Sequence, residues 1–144
     1  MTRVRRFGER KLMGHTITLA AVGAVAFMVL DGVWLGLLMK TFYRDQLAPI
    51  ARLANGAVAP NWPAAFAVYA LLGTGIALFV IPRAPTASMA ALYGGLFGLV
   101  VYGVYDFTNY STLRQWPFVL ALADVAWGVV ASAACAAAVR VVSW

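Results

Sequence analysis

The segment "TITLAAVGAVAFMVLDGVWLGLLM", residues 16–39, decides the fold of this chain. It contains a single charged residue, Asp31, and it exceeds the about 20 apolar residues that cross a bilayer as an α-helix. A cleaved signal peptide has a shorter apolar region, whereas this run continues past "AVA" at residues 24–26 without a break. The segment therefore predicts an uncleaved membrane span.

Three further apolar runs follow the first one, at residues 62–81, 88–109 and 118–139. Pro63 suits the first turn of a helix, and the two prolines of "PRAP" at residues 82–85 end the second run. Hydrophobic residues make up 63% of the chain and charged residues 11%, a composition typical of membrane proteins. We predict an all-α integral membrane protein with one domain, residues 1–144, in which four transmembrane helices form an antiparallel bundle.

The longest connection, residues 40–61, follows the first span. Its start, "MKTFYRDQL" at residues 39–47, places apolar side chains on one helical face and charged side chains elsewhere. Either the first helix continues past the membrane or a short helix lies at the interface, and Pro49 should end it. We expect the aromatic side chains near this boundary to form an interfacial belt: Tyr43, Trp62, Tyr110 and Trp116.

The distribution of basic residues predicts the orientation. Five of the eleven Lys and Arg residues lie in an N-terminal arm, residues 1–14, and four spans place both termini on one side, which then holds seven basic residues against four. By the positive-inside rule both termini are cytoplasmic, and we expect a multi-pass protein of the bacterial inner membrane. Anionic lipid headgroups account for the basic arm, so we expect membrane lipid and no nucleic acid as a partner.

Three of the five acidic residues lie within spans or at their ends, namely Asp31, Asp106 and Asp124. An ionised group near the centre of a membrane helix costs at least about 2.5 kcal/mol, so such residues need a reason. Each lies about 12 Å of helix from the boundary opposite the termini. We therefore expect the three carboxyl groups to share one layer in the outer half of the bilayer.

The neighbours of these acids are polar or aromatic and lie on the same helix faces. "DGVW" and "DVAW" each place a tryptophan three residues after an aspartate, and Tyr102 and Asn109 align with Asp106. We predict a ligand-binding pocket formed by seven side chains: Asp31, Trp34, Tyr102, Asp106, Asn109, Asp124 and Trp127. Arg114 is expected to neutralise Asp106. The alternative is that the acids make only structural hydrogen bonds between helices or stay protonated.

Small residues spaced four apart favour close helix packing beside these acids. They are Gly32 and Gly36 in the first span, Gly94 and Gly98 in the third, and Gly128 and Ser132 in the fourth. The lone Cys135 excludes an intrachain disulfide, and His15, the lone histidine, has no second histidine or cysteine nearby. We therefore expect no metal site and no cofactor.

Three strings carry a resemblance to a known family: "LDGVWLGLLMKTFYR" at residues 30–44, "YDFTNYSTLRQWP" at 105–117 and "DVAWG" at 124–128. Their order, D-x-x-W-L-G, then Y-D-x-T-N with W-P, then D-x-x-W-G, resembles the bacterial predicted-membrane-protein family called domain of unknown function 2177. The resemblance covers nearly all of the chain after the basic arm. It implies a four-helix membrane fold and supplies no reaction, substrate or cofactor.

Three functions stay open at this point. The pocket binds or transports a small cationic, proton-coupled or amphipathic ligand, with Trp34 and Trp127 offering their faces to a cation or an apolar group. Alternatively, the protein is an enzyme acting on a lipid or isoprenoid chain, although no hydrolase, zinc or nucleotide motif identifies catalytic residues. In the third interpretation it is an accessory subunit or a homo-oligomer whose glycine-rich faces bind other helices.

Overall fold

The computed structural model describes residues 2–55 and 57–143 of the chain. The sequence after the fourth apolar run predicts Arg140 and Trp144 at a membrane interface, and Trp144 lies outside the described residues. The elements, in chain order, are α1 (Thr2–Val33), a π-helical segment (Trp34–Leu38), α2 (Lys40–Leu47), β1 (Leu53–Ala54), β2 (Ala57–Val58), α3 (Trp62–Gly75), a second π-helical segment (Ile76–Val80), a 3-10 turn (Ile81–Arg83), α4 (Ala87–Thr112) and α5 (Phe118–Val142).

Within the described residues, four helical segments are long and apolar enough to cross a membrane: Arg10–Leu38, Trp62–Arg83, Ala87–Thr112 and Phe118–Val142. Only 17% to 33% of the most apolar window in each segment is buried inside the protein. Lipid must therefore cover the remaining apolar surface, since water would not. The predicted all-α membrane fold with four transmembrane helices is confirmed, and the basic arm is itself helical because α1 begins at Thr2.

Side-chain caps start the two helices that lie on either side of the short α3–α4 turn. The Asn61 side chain accepts a hydrogen bond from the backbone N–H of Ala64 (3.3 Å), and Pro63 lies in the first turn of α3. The Thr86 hydroxyl accepts a hydrogen bond from the backbone N–H of Met89 (3.2 Å) at the start of α4. Both helix starts follow from the local sequence alone.

Glycine faces bring α4 and α5 together along most of their length. A Cβ built on Gly98 would lie 2.1 Å from the carbonyl oxygen of Gly128, and one built on Gly94 would lie 2.5 Å from that of Ser132. α1 packs along α3 in the same way, because a Cβ on Gly73 would lie 2.2 Å from the carbonyl oxygen of Ala20. These close approaches need residues without a side chain.

The expected close packing at Gly32 and Gly36 is wrong. A Cβ added to either glycine would meet nothing within 4 Å in the described part of the chain. The reason is that α1 meets α3 at Gly23 and Gly73, more than two turns before Gly32, so the later glycines of the first span face open space.

The helices α3 and α4 separate toward one end of the bundle. In the described structure the second span meets α4 through Gly75, which touches the ring of Phe97, and through the π-helical segment Ile76–Val80. Nearer the start of α3 and the end of α4, the side chains of Leu71 and Val101 are exposed. The bundle is therefore closed near the termini and open between α3 and α4 at the opposite end.

The connection after the first span folds over this open end. The π-helical segment Trp34–Leu38 and the non-helical backbone of Met39 interrupt the helix, and α2 starts in a new direction at Lys40. The β-hairpin of β1 and β2 follows, with Asn55 in the left-handed region (φ 52°) at its turn, a conformation that asparagine tolerates well. This end, which carries α2 and the hairpin, is called the α2 end below.

Gly98→Ala should destabilise the bundle by about 1–3 kcal/mol, because its methyl group would overlap the α5 backbone and force α4 away. Gly103→Ala is the matched control on the same helix, since its Cβ would meet nothing within 4 Å among the described residues. The free energy of unfolding in detergent, measured for both variants, checks the prediction. Equal stabilities for the two variants would contradict the close contact of α4 and α5.

Candidate functional site

A cleft of about 1000 Å³ lies at the α2 end, between α3 and α4. Its walls are mostly apolar and come from several elements: Leu35, Leu47, Val58, Val68, Leu71, Leu72 and Val101. Five of these are exposed, including Leu71 on α3 and Val101 on α4, so the cleft opens sideways toward the surface that lipid covers. Its polar lining includes Asp31, Tyr102 and Asp124, from three different spans.

Asp31 is buried on α1 and is held by α5. The indole Nε1–H of Trp127 donates a hydrogen bond to its carboxylate over 2.7 Å, and the hydroxyl of Tyr69 on α3 lies close enough to interact with the same group. Donors from two other helices therefore meet the carboxylate, which offsets the cost of removing it from water.

The indoles of Trp34 and Trp127 stack face to face, with ring centroids 4.4 Å apart and an angle of 2° between their planes. The stack joins the end of the first span to α5. Each indole therefore covers one face of the other, and neither tryptophan lines the cleft. The role expected for them as faces for a bound cation does not match this position, and their part is to hold the helices that carry the acids.

Asp124 on α5 is held through Tyr43 of α2. The hydroxyl of Tyr43 donates a hydrogen bond to Asp124, and the same oxygen accepts a hydrogen bond from the indole Nε1–H of Trp34 (3.1 Å). The two D-x-x-W motifs are thus used reciprocally, since each tryptophan serves the aspartate of the other helix, one directly and one through Tyr43. Burial and, next, the hydrogen bond to Asp124 raise the pKa of Tyr43 above its ordinary value.

Asp106 differs from the other two acids because it is fully buried without a hydrogen-bond partner for either carboxylate oxygen in the described structure. The indole of Trp116 lies near enough to interact with it. Its Nε1 is nevertheless also buried without a partner among the described residues, so the two groups do not have hydrogen-bond geometry. Trp116 lines the cleft, whereas Asp106 lies behind this lining and within electrostatic reach of Asp124.

The structure thus brings three of the seven predicted pocket residues to the cleft, namely Asp31, Tyr102 and Asp124. Trp34 and Trp127 do not line the cleft but contact each other beside it, and Asp106 is buried away from the cleft lining. Asn109 is half-buried near the end of α4 and does not line the cleft, although its amide interacts with the hydroxyl of Tyr105, which does. That these seven residues bind a ligand stays a prediction.

Two expectations about residues near the acidic side chains are wrong. Arg114 does not neutralise Asp106, because no hydrogen-bond donor within residues 2–55 and 57–143 reaches either of its oxygens. Tyr43 does not belong to an interfacial belt, because it is buried and points at Asp124. Both differences arise because these residues lie in the connections between spans. The direction in which a connection turns cannot be read from the helical spacing within each span.

Sequence reasoning missed several groups that line the cleft: Lys40, Tyr43, Arg44, Asn55, Tyr105 and Trp116. Lys40, Tyr43 and Arg44 all lie on α2, and they reach the cleft only because the chain turns at Met39. The helical face of "MKTFYRDQL" was the available signal, but it could not show that this face turns toward the bundle rather than along the membrane surface. No group of three or more His, Cys, Asp and Glu side chains among the described residues is arranged to hold a metal ion.

These features define a small polytopic membrane protein in which polar side chains of several helices meet beside a lateral cleft. The chain belongs to the family of predicted membrane proteins designated domain of unknown function 2177, whose model matches residues 16–141. The match begins directly after the basic arm and includes all the cleft residues. No curated protein and no solved structure matches the chain.

Tyr43→Phe should destabilise the protein by about 1 kcal/mol, because it leaves Asp124 and the indole of Trp34 without their shared partner. A double-mutant cycle with Asp124→Ala, whose side chain accepts no hydrogen bond, followed by unfolding in detergent, measures the coupling between the two side chains. Since the neutral hydroxyl is the donor and its pKa is raised, the coupling should persist from neutral pH to above pH 10.0, the ordinary pKa of tyrosine. Strictly additive effects would contradict the contact.

Proposed function

We propose that this protein binds an amphipathic membrane molecule whose apolar chain enters the cleft sideways between α3 and α4. The observation that carries the proposal is that one cleft, open toward lipid at Leu71 and Val101, joins apolar walls to the polar groups of Asp31, Tyr102 and Asp124. An apolar cavity with a few convergent polar groups is the usual form of a binding site for a small amphipathic molecule.

The volume and the position of the cleft support the same proposal. About 1000 Å³ is at the upper end of the sizes of ligand pockets, enough for a lipid chain. The opening lies within the apolar spans, so a molecule already dissolved in the bilayer reaches it without crossing water. We place the α2 end toward the periplasm, because the side of the termini holds seven of the eleven basic residues.

A second candidate function is supported by the hydrogen bonds of the acids. Asp31 and Asp124 accept hydrogen bonds from Trp127 and Tyr43, as structural contacts between helices would. In an accessory subunit or a homo-oligomer these contacts would only stabilise the bundle, and the open face between α3 and α4 would receive a helix of a partner. Occupancy of the cleft by lipid distinguishes the two candidates.

Gly36→Leu should block the cleft without disturbing the fold. Gly36 lines the cleft, and its Cβ would meet nothing within 4 Å among the described residues, so a larger side chain fills empty space. Gly32→Leu is the matched control, because Gly32 lies one turn earlier on the same span, has the same free space and does not line the cleft. The two variants make the same chemical change at neighbouring positions.

Native mass spectrometry of the full chain, released from detergent with added phosphatidylglycerol of defined chain length, measures the bound lipid directly. We expect the wild type and Gly32→Leu to retain one lipid, and Gly36→Leu to lose at least about tenfold in occupancy, as a blocked pocket requires. Equal retention by all three proteins would overturn the proposal. A stable dimer that retains no lipid would favour the accessory subunit.

A further inference from the structure

The mouth of the cleft carries positive charge, while its acidic groups lie deeper. Lys40 and Arg44 are four residues apart on α2 and therefore share one helical face, and both line the cleft beside the side-chain amide of Asn55. Only four of the eleven basic residues belong to the α2 end, and two of these four, Lys40 and Arg44, are at this opening. All three side chains supply hydrogen-bond donors.

The charges at the mouth are available to a ligand. Lys40 is exposed and forms no ion pair in the described part of the chain. Arg44 pairs with Asp45 over 2.8 Å, but their side chains are 48% and 57% exposed, and an ion pair this open to solvent is weak. The pair can therefore rearrange at little cost when a stronger acceptor approaches.

The acidic lining does not compete for the same place. Asp31 and Asp124 already accept hydrogen bonds from Trp127 and Tyr43 within the protein. Asp31 is also buried, whereas Lys40 and Arg44 are exposed, so this acid lies deeper than the two cations. The uncompensated charge at the boundary where a headgroup would lie is therefore positive.

We propose that the molecule held in the cleft is a membrane lipid with a net negative phosphate headgroup, bound at the mouth by Lys40 and Arg44 with its chain between α3 and α4. This inference rests on the proposed function and adds the headgroup to it. A phosphate accepts hydrogen bonds from ammonium and guanidinium groups, and its charge complements both of them. A zwitterionic headgroup places a quaternary ammonium beside the same cations and loses that complementarity.

The test compares phosphatidylglycerol with phosphatidylcholine of identical chains, offered together to the full protein, with the two bound masses resolved by native mass spectrometry. The wild type should prefer phosphatidylglycerol. Lys40→Gln and Arg44→Gln should each lower this preference about fivefold, as expected for one cation at a membrane surface. Lys40→Arg, which keeps the charge, should preserve it.

Matched controls separate a defined site from general attraction to negative lipid. Lys11→Gln removes a lysine charge at the terminal end of the first span, and Arg52→Gln removes an arginine of the α2 end that does not line the cleft. Both should leave the preference unchanged. A wild type without a preference, or controls that lower it as much as Lys40→Gln, would overturn the inference.

The blocked variant distinguishes failure of this inference from failure of the proposed function. If Gly36→Leu loses both lipids while Lys40→Gln and Arg44→Gln keep the wild-type preference, the cleft binds lipid and the headgroup assignment is wrong. If Gly36→Leu retains both lipids, the cleft is not the binding place and both proposals fail.

Discussion

A carboxylate placed among membrane helices must find hydrogen-bond donors, and the rest of this structure depends on how Asp31 and Asp124 find them. Each is served by the tryptophan of the other's motif: Trp127 donates to Asp31 directly, and Trp34 acts on Asp124 through Tyr43. Because the two indoles also stack, the first span, α2 and α5 are fixed at one level. Polar groups that would be costly in isolation thus determine where three elements lie.

The cleft results from an uneven distribution of small residues. Glycines let α4 approach α5 and let α1 approach α3, with the Cβ positions of Gly98 and Gly73 already filled by the opposite backbone. Where α3 and α4 face each other at the α2 end they carry larger side chains, including Leu71 and Val101, and the helices stay apart. Gly36 adds further free space on the first span. The size of the residues between the helices therefore determines where the bundle opens, as much as their polarity does.

Much of the architecture could be predicted from apolar length alone, because a bilayer requires about 20 apolar residues for each helical span. The spacing of Asp31 to Trp34 and of Asp124 to Trp127 was enough to identify the side chains that meet between helices. It could not show whether the tryptophans face a ligand or each other, since that depends on the relative rotation of two helices. They face each other.

The sequence also could not predict that α2 lines the cleft, again because this depends on the orientation of a helix. The π-helical segment before Met39 and the break at that residue turn α2, and a rotation there decides whether Tyr43 and Lys40 point to the bundle or to the headgroups. Helical periodicity identifies a face but not the direction of an axis. The expected packing at Gly32 failed similarly, because the pattern of small residues does not say which helix is adjacent.

The most direct measurement of the central claim is an experimental structure of the full chain in lipid nanodiscs, at a resolution that shows side chains. We expect stacked Trp34 and Trp127 rings, hydrogen bonds at Asp31 and Asp124, and elongated density between α3 and α4 that ends beside Lys40 and Arg44. Helices α3 and α4 packed together along their whole length, or Asp31 facing the surrounding lipid, would contradict it.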